Sequence, residues 1–72
     1  MKLEIMERMS DKELKKEGIV FIGNRLIALK LAYNNLIVSV EYSQEYKEIK
    51  ETLEKRLKNN IVRLERLVRE MM

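Results

Sequence analysis

Leu26-Ile27-Ala28-Leu29-Lys30-Leu31-Ala32-Tyr33-Asn34-Asn35-Leu36-Ile37-Val38-Ser39-Val40-Glu41-Tyr42-Ser43 is the stretch on which the fold turns. With Asn34-Asn35 as a two-residue turn, a β-hairpin over residues 26–43 pairs Tyr33 with Leu36, Leu31 with Val38, Leu29 with Val40 and Ile27 with Tyr42 on one apolar face. The other face then pairs Ala32 with Ile37, Lys30 with Ser39, Ala28 with Glu41 and Leu26 with Ser43, small and mostly polar as a half-exposed sheet requires. A helical alternative exists, because Leu26, Leu29, Tyr33, Ile37 and Val40 also lie on one helical stripe. Two Asn in mid-helix and the Val-Ser-Val-Glu-Tyr-Ser alternation weigh for the hairpin.

Outward from the hairpin, Met1-Lys2-Leu3-Glu4-Ile5 alternates apolar and charged, a short strand pattern. Ser10-Asp11-Lys12-Glu13 has the form of a capping box, and Met9 and Leu14 flank it as a hydrophobic staple, so a helix starts at Asp11. Gly18 ends that helix after about two turns. The β-favouring Ile19-Val20-Phe21-Ile22 that follows reads as an extra strand or a buried connector, and Gly23-Asn24 breaks the chain again. From Ser43 the period changes: Tyr46, Ile49, Leu53, Leu57, Ile61, Leu64, Val68 and Met71 take seven steps over 25 residues, about 3.6 per step, the mark of an amphipathic helix. Glu51 with Lys55, Glu54 with Lys58 and Glu65 with Arg69 stand four apart in the favourable order. The expected fold is α+β in a single domain, residues 1–72: a small antiparallel sheet of N-terminal strand and central hairpin, packed on the long C-terminal helix, with a short helix near the N-terminus. An all-α bundle is the alternative.

Length then points to a partner. A 29-residue helix spans roughly 43 Å and an eight-residue strand roughly 27 Å, so about 15 Å of helix overhangs the sheet. Leu64, Val68 and Met71 on that overhang need cover from another chain, and Leu57, Asn60 and Ile61 continue the same interface. Asn60 borders the stripe and could set register in a helix pair, as polar positions do in coiled coils. Lys50 lies in line with Leu57 and Leu64 on the buried stripe, where its stem either snorkels past Tyr46 to water or its ammonium meets an acid of a partner or a phosphate. At 72 residues a single core is near the lower limit for independent folding, and the chain has no Cys for a disulfide. Burial against a second copy, a paralogue or a larger complex is the expected extra source of stability.

Composition narrows the chemistry. With neither His nor Cys, nucleophilic triads and ordinary metal sites are excluded, and there is no Gly-rich phosphate loop or other cofactor motif. The carboxylates Glu41 and Glu45 read as solvated charges at a helix start, so no catalytic residue is assigned and the chain reads as a non-enzyme. Fifteen Lys and Arg against twelve Asp and Glu give +3, which permits nucleic-acid contact without implying it. Arg56, Asn59, Arg63 and Arg66 fall at spacings of three, four and three on one ridge that could lie against tRNA or other RNA phosphates; a solvated outer face is the plainer reading. The aromatics are Phe21, Tyr33, Tyr42 and Tyr46, and Tyr33 and Tyr42, on the apolar hairpin face, read as core filling rather than a base-stacking platform. Charged residues at 38% and a single Gln lean toward a thermophile, against which stand five Asn. Apolar runs of four or five residues are too short for a membrane span, pointing to a cytoplasmic protein.

Asn34-Asn35-Leu36-Ile37-Val38-Ser39-Val40, Ser43-Gln44-Glu45, Ile49-Lys50 and Leu57-Lys58 keep the spacing of a known turn, last strand and helix over about 25 residues. On these residues the chain resembles the small dimer-forming subunit of the KEOPS tRNA-modifying complex. Glu54-Lys55 departs from that family's Asn-Ser, and the first helix is shorter. The resemblance implies a non-catalytic dimerising scaffold that contacts a catalytic subunit and helps position tRNA for threonylcarbamoyl-adenosine formation, with Lys50 and the hairpin near the partner contact. Shorter pieces are similar to a small helical ribosomal protein, which would need helix through residues 26–43, and to half of a prefoldin subunit, which would need a second long helix.

Overall fold

Four helices follow one another in the computed structural model, which describes residues 3–38 and 44–72: α1 (Leu3–Arg8), α2 (Asp11–Glu17), α3 (Ile19–Ile37) and α4 (Gln44–Met71). The architecture is all-α, with no strand among the described residues, and this overturns the α+β expectation. Leu3, Glu4 and Ile5 of the expected first strand belong to α1, while residues 1–2 lie outside the described part. Ile19 to Ile22 form the opening turn of α3, and neither Gly23-Asn24 nor Asn34-Asn35 interrupts it. Residues 39–43, most of the second hairpin strand, lie outside the described residues.

The helix wins over residues 25–32 because Arg-Leu-Ile-Ala-Leu-Lys-Leu-Ala contains seven strong helix formers in eight, and Ala and Lys are poor strand residues. Two apolar patterns are superposed there. Ile22, Leu26, Leu29, Tyr33 and Leu36 step by four, three, four and three along the inner face, with Ile22 buried and the others half-buried. Ile27 and Leu31, which a strand would place beside Leu29, point outward instead, 59% and 60% exposed.

The flanking signals hold. Ser10 caps α2: Glu13 N–H donates to its Oγ and Ser10 N–H donates back to Glu13 Oε1, both at 3.1 Å. Gly18 ends α2 and starts α3 at φ +96°, where an L side chain would be strained. The amphipathic helix runs from Gln44 to Met71. Ile37 meets Lys50 near one end of the α3–α4 pair and Lys30 meets Glu65 nearer the other, so the two helices are antiparallel. The 41 Å long axis is essentially α4 itself, since 28 residues rise about 42 Å.

The core lies toward one end. Met6 of α1, Leu14 of α2 and Ile22 of α3 close on Leu64 and Leu67 of α4, with Met9, Val68 and Met71 packed half-buried around them. This corrects the overhang argument: Leu64, Val68 and Met71 are covered by α1, α2 and the start of α3, three elements that a sheet-based fold does not place there.

Candidate functional site

The basic ridge of α4 faces the short helices rather than open solvent. Arg56 donates through Nε and Nη2 to the two carboxylate oxygens of Glu7 on α1, a bidentate pair. Arg63 donates from Nε to Asp11 Oδ1 at 2.9 Å, from Nη1 to the Met6 carbonyl at 3.2 Å, which also accepts from Met9 N–H, and from Nη2 to the Met9 carbonyl just past the end of α1. Arg66 donates to Asp11 Oδ2 at 2.8 Å and to Glu70 Oε2 at 3.0 Å, and Lys15 stands 3.5 Å from Glu70. Hydrogen bonds from Arg56 and Asn60 hold the Glu7 carboxyl below the usual carboxylate range, and Arg66 and Arg63 do the same for Asp11. Of the four residues suggested for RNA, Asn59 is exposed, and the three arginines bind α1 and α2 onto α4.

The residues expected at a partner interface are also used internally. Leu57, Ile61 and Leu64 are buried in the chain's own interior. Asn60, 5% exposed, donates from Nδ2 to Glu7 Oε2 at 3.0 Å and to the Arg56 carbonyl at 2.8 Å, so it fixes α1 against α4. Lys50, 7% exposed, donates from Nζ to the Ile37 carbonyl at 3.4 Å. Its charge therefore sits at the negative end of the α3 dipole, a placement that neither snorkelling nor a partner acid anticipates.

Among the described residues, the outer side of α3 carries a row of exposed apolar side chains. Val20, Ile27, Leu31 and Val38 are 73%, 59%, 60% and 78% exposed, and no charged side chain stands among them. These residues were missed because the hairpin reading put three of them, Ile27, Leu31 and Val38, on its apolar inner face; spacing of seven, four and seven marks them once the segment is helical. Beside them, an apolar cavity of about 550 Å³ opens between α1, the later part of α3 and the earlier part of α4, with Leu29, Leu36, Leu53 and Leu57 in its walls. Arg25, also in the wall, places its guanidinium carbon 5.3 Å from the Phe21 ring centroid. Among the described residues no group of three acidic side chains could hold a metal, and no helix is long and apolar enough to cross a membrane. In comparisons with known proteins, no family model, no curated protein and no solved structure matches the chain.

Proposed function

We propose that the protein is a stand-alone, non-catalytic interaction protein of regulatory type that works as a homodimer. The observation that carries this reading is the uncharged, outward-facing apolar side of α3, on a chain that spends its basic ridge and its buried stripe on internal packing. A surface of this kind on a small protein marks an association site. The scaffold role implied by the KEOPS likeness has less support, because Asn34-Asn35 and Leu36-Ile37, which carried that likeness as a turn and strand, lie within α3.

Light scattering on a size-exclusion column tests the reading directly. The expected molar mass is about twice the 8.7 kDa chain across a wide concentration range; a persistent monomer would remove the homodimer. The same preparation should bind labelled duplex DNA or tRNA only feebly, since Arg56, Arg63 and Arg66 would each have to leave a carboxylate to reach a phosphate. Tight binding that weakens steeply from low to physiological salt would instead make nucleic acid the target.

A further inference from the structure

We propose that α3 pairs with α3 of a second copy as an antiparallel two-helix coiled coil whose two-fold axis passes between Ile27 and Leu31 on the outer face, at the level of residue 29; this deepens the homodimer reading and rests on it. The exposed residues Val20, Asn24, Ile27, Leu31, Asn34 and Val38 step by four, three, four, three and four. That is the 3.5-residue seam of a coiled coil, with Asn24, Leu31 and Val38 at a positions and Val20, Ile27 and Asn34 at d. Ile22, Leu29 and Leu36, by contrast, face their own chain. The helix therefore carries two apolar faces, and α4 covers only one.

The seam is its own complement under a two-fold axis. Position numbers that add to 58 meet across such an axis: Val20 opposite Val38, Asn24 opposite Asn34, Ile27 opposite Leu31. Each layer pairs like with like in volume and polarity, and each joins an a to a d position, as an antiparallel pair does. The two Asn–Asn layers satisfy amides that any apolar partner would strand, and thereby fix the register. A parallel pair would instead stack Leu31 on Leu31 at a and Ile27 on Ile27 at d, the arrangement that favours more than two strands.

Charge agrees with a second copy. No acid or base lies on the seam, and Lys30, which borders it near the axis, is already 3.7 Å from Glu65 of its own chain, so two neutral pairs meet rather than two cations. A 19-residue helix is about 28 Å long and 10–12 Å wide, so pressing two together removes on the order of 1,000 Å² in total, at the lower bound for a specific interface.

The absence of Cys makes the test clean. Val20→Cys and Val38→Cys are made separately, confirmed as helical by circular dichroism, and oxidised alone and as a mixture. The antiparallel pair predicts a covalent dimer in the mixture and little in either alone, because Val20 lies about 27 Å from its own counterpart while a disulfide needs Cα atoms within about 7 Å. Cross-linking of each variant with itself would overturn the antiparallel arrangement. A dimeric mass with no cross-link in any combination would move the interface elsewhere, such as the neighbouring cavity, sinking this proposal while leaving the homodimer intact; a monomer sinks both. Leu31→Asp, at an exposed position, should halve the molar mass with the helical spectrum retained.

Discussion

At the scale of single residues, glycine and asparagine carry the most information about what the chain tolerates. Gly23 sits inside α3, and a Cβ built there meets nothing within 4 Å. Gly23→Ala should therefore stabilise the protein by about 0.5–1 kcal/mol, through the backbone freedom glycine loses on entering a helix. In a domain of this size that raises Tm by roughly 3–6 °C in a thermal melt. Gly18 is different in kind, because φ +96° forbids the same gain. Asn34 and Asn35, read as a turn, are mid-helix residues, since the few tenths of a kcal/mol that Asn costs there relative to Ala are small against the burial of the inner face. Local propensity at two positions could not decide the fold; the Ala, Leu, Lys and Arg content over eight residues was the better guide.

Among the elements, those whose signals are local were legible: the Ser10–Glu13 box, the Gly18 stop and the α4 helix appear where the sequence places them, although Ile49 of the expected stripe is exposed and Leu67, outside it, is fully buried. α3 was not legible as a helix because its two faces are both apolar, which produces alternation and helical periodicity at once. The candidate site suffered from the same ambiguity. The basic ridge on α4 was visible, but its carboxylate partners Glu7 and Asp11 lie about fifty residues away, and no periodicity reports such a distance. That clasp has a pH signature. Glu7 and Asp11 titrate lower in the folded chain than their ordinary values, so near pH 4 the unfolded chain binds more protons and stability falls with acidification. Thermal melts should show a plateau above about pH 5 and a declining Tm as pH drops through about 4 toward the lowered native values. Asp11→Asn should flatten part of that decline, and added salt should weaken the contribution, since the Asp11 and Arg66 side chains are each a little under half exposed.

For the whole molecule, the lopsided core means that the fold need not open all at once. Met6, Leu14, Ile22, Leu64 and Leu67 gather toward one end, whereas toward the other, residues 30–38 of α3 and its cap and 44–53 of α4 bury only Lys50. Regions with few buried apolar contacts exchange their amide protons through local opening, at a free energy below that of global unfolding. Hydrogen exchange should therefore protect residues 57–67 most strongly and release residues 30–38 and 44–53 sooner, and equal protection throughout would contradict the uneven core. If two copies pair through α3, exchange over residues 30–38 becomes slower as protein concentration rises, and residues 57–67, which exchange through global unfolding, slow as well. The weakly held end of the monomer is then the part that association completes, so the chain's folding and its assembly are two readings of one equilibrium.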